Sequence, residues 1–282
     1  MRTFLRTFRR HNQAARILIF IDPGQWGSRT DAFCEYGRHY SAEFFTVKLS
    51  GLFPFDLLRF RAYKEVLDAL KGAARNVLMV DLRDVLFQSD PFAADALPPS
   101  KQAMRPGGEL PYVIFTEEGD AAHPLLIEND EYDKLWIENC FNASVYEAVR
   151  SKSVVCAGPG WCGQGAIRAH LQLMINVALF TAKEECMQHG VDQAIHNYMA
   201  HWLAPRRPDL VAFEVLQLHN DDSPIYTIGT QETPRLDINA TGFAVYNQRG
   251  RLPPIVHQYD RRKDLLAAIF EIMGDRPYGI SY

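Results

Sequence analysis

Short apolar runs bounded by charge or turn formers alternate, through the first half of the chain, with segments whose apolar positions recur at helical spacing. Arg16–Asp22 (Arg-Ile-Leu-Ile-Phe-Ile-Asp) reads as a first buried strand, closed by Pro23-Gly24 and a polar loop through Thr30. A short helix about Asp31–Tyr40 and a strand near Phe44–Leu49 follow. Asp56 is placed to cap a helix carrying Leu57, Phe60, Val66, Leu67 and Leu70, which Gly72 ends. Val77–Val80, with charge on both sides, reads as a buried central strand.

Leu97–Gly108 has the composition of a loop, Tyr112–Thr116 of a strand and Asn129–Cys140 of a helix. Ser153–Ala157 reads as a strand running into the turn letters Gly158–Gly163. A long helix about Gln164–Gln188 carries Ile167, Leu171, Met174, Ile175, Ala178 and Leu179 on its buried stripe, and a second spans Val191–Leu203. The last third turns β-rich, with strands over Leu210–Leu218, Ile225–Ile228, Phe243–Tyr246 and Pro254–His257, the last after a turn at Asn247–Gly250. Arg262–Met273 closes as a helix. This order predicts an α/β fold: one domain over 16–282, with a mixed, mainly parallel central sheet flanked by helices, after a basic extension over 1–15.

The 282 residues are 47% apolar and 23% charged, ordinary for a globular protein, and the net charge of −4 gives no reason to expect nucleic-acid binding. No run has the length of a membrane span. At the N-terminus, Phe4, Leu5 and Phe8 with Arg2, Arg6, Arg9 and Arg10 form at most a weakly amphipathic basic helix touching anionic lipid; a frayed, solvated end is the simpler expectation. Five cysteines (34, 140, 156, 162 and 186) with no CxxC pair suit buried thiols in a reducing, cytoplasmic setting rather than a disulfide framework or zinc site. The sequons at Asn142 and Asn239 matter only in a secreted chain.

The chemistry concentrates after Val80. Asp81 and Asp84 with Arg83 stand at the carboxyl end of an apolar strand, where open α/β sheets place ligands. Two carboxylates at a half-buried site need compensation, most simply a divalent cation (Mg²⁺ or Mn²⁺) carrying a phosphorylated ligand. The bland alternative is a capped turn with a surface Arg83–Asp90 pair. His257, at a late strand end, is placed to complete such a metal's shell, with Asp260 to orient it and Arg261 to face phosphate. Asp192 looks like a helix cap, and Gln193 and Asn197, four apart on one face, suit a hydroxyl-rich ligand. Cys156-Ala157-Gly158 offers small residues where a ligand can approach closely.

Taken in order, these pieces resemble a GT-A-fold glycosyltransferase, in the nucleotide-diphospho-sugar group related to glycogenin and galactinol synthase. Asp81-Leu-Arg-Asp84 followed by Asp90-Pro-Phe92 looks like an expanded Asp-x-Asp motif, Cys156-Ala157-Gly158 stands for an Asn-Ser-Gly strand end, Asp192-Gln193 for an Asp-Gln helix start, and His257 for the late metal-binding histidine. The resemblance implies a Rossmann-like catalytic domain and a metal-dependent transfer of sugar from a nucleoside-diphosphate sugar to a hydroxyl acceptor, as in glycan or glycoconjugate synthesis. It implies that Asp81 meets ribose and metal, that Asp84 and His257 are metal ligands, and that Gln193 or Asp192 touches the donor sugar, the two being the catalytic candidates. Arg59, Tyr63, Arg83 and Gly158 would line the donor side. In a retaining enzyme of this kind the leaving phosphate deprotonates the acceptor; an inverting one needs a carboxylate base, for which Asp192 is the named candidate. The pattern departs from the family at Arg83, in place of the second acid, and at Cys156-Ala157, in place of Asn-Ser.

Two other classes share parts of this pattern. A haloacid-dehalogenase phosphatase needs an acid two residues after its nucleophilic Asp, and Arg83 occupies that place. A non-catalytic sugar-nucleotide or glycan-binding protein of the same fold differs from the transferase only in turnover.

Overall fold

The computed structural model describes residues 1–47, 55–70, 72–97, 110, 112–120, 122–158, 160–186, 190–230, 235–239 and 242–273. Residues 98–108 of the expected loop, 48–49 of the expected second strand, and the Asp56 side chain lie outside them. In chain order the elements are α1 (Arg2–His11), β1 (Ile17–Ile21), α2 (Pro23–Tyr40), β2 (Ala42–Thr46), α3 (Phe55–Ala69), β3 (Asn76–Met79), β4 (Val85–Phe87) and β5 (Tyr112–Thr116). Then come α4 (Glu131–Cys140), α5 (Ala143–Val149), β6 (Gly160–Gly163), α6 (Gln164–Phe180), α7 (Val191–Tyr198), α8 (Ala204–Arg206) and β7 (Glu214–Leu218). The chain ends with β8 (Ile225–Thr227), β9 (Arg235–Asn239), β10 (Gly242–Tyr246), β11 (Ile255–His257) and α9 (Lys263–Met273).

The chain is α/β, but the described strands pair as several sheets rather than as one mainly parallel sheet. The largest has the order β3-β6-β5-β7, with β6 antiparallel to both its neighbours and β5 parallel to β7. β11 lies between β4 (antiparallel) and β8 (parallel), while β1 pairs with β2 and β9 with β10. The segment read as turn letters, Gly160–Gly163, is the strand β6. Its two glycines conceal an alternation only two side chains long, in which Trp161 and Cys162 are both buried, one in each of the two main core clusters. Conversely Ser153–Ala157 is extended chain held by isolated bridges from Ser153 to Leu126 and from Val155 to Glu117.

β3, expected at the centre, is an edge strand of its sheet and only half-buried. It is apolar because both faces are covered: Val77 and Met79 pack on one core cluster, Leu78 and Val80 on the other. α2 begins at Pro23, where a loop was expected. Asp22 caps it, accepting from the Gly24 N–H at 2.8 Å, and proline suits the first turn because its missing N–H has no partner there. α6 ends at Phe180, short of the expected 188, with Leu179 exposed and Val177 taking the buried place. The helix after Gly190 does run to Leu203, its last five residues forming a π-turn.

The N-terminus is docked rather than frayed. Phe4, Leu5 and Phe8 of α1 are buried, the two rings edge-on to Phe87, and Arg9 donates to the carbonyls of Ala15, Tyr40 and Ser41 at 2.7–3.1 Å. Among the described residues no helix is long and apolar enough to cross a membrane. The cysteine reading is also corrected: Cys140, ending α4, is bonded to Cys186, which leaves Cys34 exposed and Cys156 and Cys162 buried as thiols. That disulfide removes the cysteine argument for a reducing compartment.

Candidate metal centre and its cavity

Strand pairing brings the key side chains together. Val85 of β4 stands opposite His257 of β11, so Asp84, one residue earlier, is carried to the imidazole; Thr227 of β8 flanks His257 on the other side. Asp81 leaves β3 two residues past its end. One oxygen or nitrogen from each of Asp81, Asp84 and His257 lies within 4.8 Å of the others. His257 Nε2 is 3.7 Å from Asp84 Oδ2. Gly158 closes over this point: a Cβ there would sit 2.9 Å from His257 Nε2 and 3.0 Å from Asp81 Oδ2. The absence of a side chain keeps the space between the ligand atoms open.

Neighbouring groups fix Asp81 and His257. Arg59 on α3 donates through Nη1 to Asp81 Oδ1 at 2.7 Å and through Nη2 to Asp192, so one planar fork spans two carboxylates. His257 Nδ1 is 3.2 Å from Thr227 Oγ1 and 3.7 Å from Cys156 Sγ, which leaves Nε2 turned to the carboxylates. Asp84 is buried and its Oδ1 has no hydrogen-bond partner. Burial, reinforced by Asp260, raises the Asp84 carboxyl above its ordinary pKa, and burial lowers His257 to about 4, so the imidazole is neutral near pH 7. Two carboxylates, one with an orphaned buried oxygen, and a neutral imidazole form a donor set that fits a hard divalent cation such as Mn²⁺ or Mg²⁺.

The triad opens into a cavity of about 530 Å³, within the usual range of ligand pockets. Asp81, Asp84, His257, Arg59, Arg83, Gly158, Asp192 and Gln193, scattered between positions 59 and 257, all line it. Tyr63 does not; its ring packs against Phe20 and Phe60. Three local readings are corrected. Gly190, with φ +86°, holds the cap position of α7, and Asp192 sits inside the first turn, held by Arg59. Arg83 pairs with Asp260 at 3.0 Å, so Asp260 does not orient His257. Asp90 accepts from Asn12 Nδ2 and the Phe92 N–H instead of pairing with Arg83.

Asn197, expected to face the ligand, binds backbone: its Oδ1 accepts from the Val155 N–H at 2.9 Å and holds the extended segment that delivers Cys156 to Gly158. Gln193 Oε1 likewise accepts from the Ala157 N–H at 3.2 Å. Sequence reasoning missed Thr227, Glu118, Asp133 and Trp136. Glu118 follows β5 much as Asp81 follows β3, and that shared pattern, an acid just past an apolar run, was the available signal.

No protein-family model and no curated protein matches this chain. The chemistry assigned to the site therefore rests on its own residues.

Proposed function

We propose that this chain is a metal-dependent glycosyltransferase of GT-A-like architecture, which moves a sugar from a nucleoside-diphosphate sugar to a hydroxyl acceptor. The observation that carries this reading is the convergence of Asp81, Asp84 and His257 under Gly158 at the wall of a ligand-sized cavity. Asp81, Asp84 and His257 would hold Mn²⁺ or Mg²⁺, which when bound supplies charge neutralisation for the diphosphate that must depart.

The chain's own residues prepare that departure. Arg59 holds the Asp81 carboxylate in place, and Thr227 and Cys156 hold the His257 ring, so little reorganisation remains on binding. Arg261 lines the cavity one turn beyond His257 and adds positive charge for phosphate oxygens. Asp192 and Gln193 present a carboxylate and an amide on the cavity wall for sugar hydroxyls. The order of motifs that resembles the glycogenin-related group supports the same assignment.

Calorimetric titration of UDP- and GDP-sugars, with and without Mn²⁺, on the wild type and on Asp84→Ala tests it. One donor should bind only with metal, and that binding should vanish in the variant. No binding of any donor in the presence of metal refutes the reading.

A further inference from the structure

Helix α4 presents one side to the cavity. Tyr132 and Asp133, four and three residues before Trp136, share its side of the helix, and all three line the cavity wall. Asp130 fixes the start of that side, its Oδ1 accepting from the Tyr132 and Asp133 N–H groups at 2.9 and 3.0 Å. Asp133 fixes its depth. The two Asp133 oxygens accept from Gln193 Nε2 and Asn197 Nδ2 on α7, each at 3.3 Å.

The two aromatic rings of this side are held differently. Trp136 is partly buried, packs against a core cluster, and is seated on Gly190, where any Cβ would overlap the indole. Tyr132 is 67% exposed, with its ring centroid 5.7 Å from that of Trp136 and the rings tilted by 34°. Among the described residues it is the one exposed large apolar side chain that lines the cavity. The pair makes a strip that starts inside the cavity and ends in solvent. Adjacent rings lining one cavity offer a seat for the flat face of a ligand, unlike a scattered surface residue.

One glutamine ties this strip to the metal centre. Gln193 Nε2 donates to Asp133 at 3.3 Å, and Gln193 Oε1 accepts from the Ala157 N–H at 3.2 Å, next to the Gly158 that closes over His257 and Asp81. Its neighbour Asp192 is joined through Arg59 to Asp81. Across the cavity the order is therefore the Asp81–Asp84–His257 centre, then Asp192 and Gln193, then Trp136, and last Tyr132 at the mouth. A donor with its diphosphate at the metal and its sugar at Asp192 and Gln193 fills the first two places and leaves the strip open. The surroundings select what lies there. The Asp133 and Asp192 carboxylates and the Gln193 amide accept hydroxyl protons at the edge of a sugar whose flat face meets a ring, and the same acids repel an anion. Two rings in succession call for two sugar units in succession.

We infer that Trp136 and Tyr132 are the acceptor platform, and that the acceptor is a neutral oligosaccharide whose terminal unit lies on Trp136 and whose next unit lies on Tyr132. The acceptor role rests on the glycosyl-transfer reading; the binding of a neutral oligosaccharide to the strip does not. Trp136, braced by Gly190 and the core, sets the position of the terminal unit beside Asp192 and Gln193. Tyr132 makes the site prefer a chain to a single sugar.

Calorimetry on the whole protein, with Mn²⁺ and either UDP or GDP present, tests this with maltotriose, cellotriose, chitotriose and mannotriose, each beside the methyl glycoside of its single unit. One trisaccharide should bind at least about tenfold more tightly than its unit. Tyr132→Ala should erase that preference. Trp136→Ala should weaken trisaccharide and unit alike by about tenfold, and Trp136→Phe, which keeps a flat ring, should restore most of the loss. Phe180→Ala, at an exposed ring that does not line the cavity, should bind as the wild type does, with thermal melting to confirm the fold of each variant. Equal binding of trisaccharide and unit, or an unchanged preference in Tyr132→Ala, overturns the platform, and no binding of any trisaccharide overturns the acceptor class. Donor titration separates the two readings. A protein that binds a donor and no trisaccharide loses the platform alone. One that binds a trisaccharide and no donor loses the glycosyl-transfer reading and keeps the strip as an oligosaccharide site.

Discussion

Gly158→Ala tests the metal centre at its most confined point. The new methyl would lie 2.9 Å from His257 Nε2, 3.0 Å from Asp81 Oδ2 and 3.0 Å from His257 Cε1. Neither ligand can simply withdraw: the ring is tied through Nδ1 to Thr227 at 3.2 Å, and Asp81 is held by Arg59 at 2.7 Å. Turning the ring costs its hydrogen bond, about 1 kcal/mol, and the crowding itself costs about 1–3 kcal/mol. Much of the methyl's volume falls where the ion must sit, so Mn²⁺ affinity should fall at least about 100-fold, equivalent to about 2.7 kcal/mol. Calorimetric Mn²⁺ titration, with thermal melting to confirm folding, measures this. Gly242→Ala, whose methyl meets nothing within 4 Å, serves as the control and should bind metal as the wild type does. Wild-type Mn²⁺ affinity in Gly158→Ala would show that the three side chains do not bind an ion between them.

Two further predictions concern stability. His170 is fully buried, its ring nitrogens have no partners, and its ring lies edge-on to Phe115, Phe213 and His196; burial lowers its pKa from 6.5 to about 3. The unfolded chain therefore binds a proton that the native state refuses between those values, so stability is complete above 6.5 and is lost as pH falls toward 3, by roughly 3–5 kcal/mol. Urea unfolding at a series of pH values should show this slope and a flatter one in His170→Phe; equal slopes would refute it. Cys140→Ser removes a link between residues 46 apart and should cost about 4 kcal/mol by loop entropy, again read by urea unfolding; a loss under about 1 kcal/mol would show that the cross-link does not restrain the unfolded chain.

The parts of the site carried by a single strand end were legible in the sequence. Asp81 and Asp84 follow an apolar run, and His257 ends another, so their types and places pointed to the cluster the structure brings together. What joins them was not legible, because it comes from pairing between distant strands: nothing near His257 in sequence says that Thr227 lies beside it. The same limit produced the wrong partner for Asp260, which pairs with Arg83 across the turn that β4 and β11 bring together. β6 was missed because composition, Gly-Pro-Gly, outweighed a two-residue alternation, whereas Tyr112–Thr116 gave an unbroken apolar run and was read with its observed bounds. The Cys140–Cys186 bond was hidden because its cysteines lie on either side of α5, β6 and α6, with no motif to pair them.

The packing of α1 reaches the strand that follows Asp84. The Thr7 hydroxyl accepts from the Phe87 N–H at 3.2 Å, and the rings of Phe4 and Phe8 brace Phe87 at 5.1 and 4.8 Å. Phe87 is the far end of a three-residue strand whose near end adjoins Asp84 and pairs with His257. The placement of Asp84 beside His257 therefore rests in part on the packing of a helix that does not line the cavity.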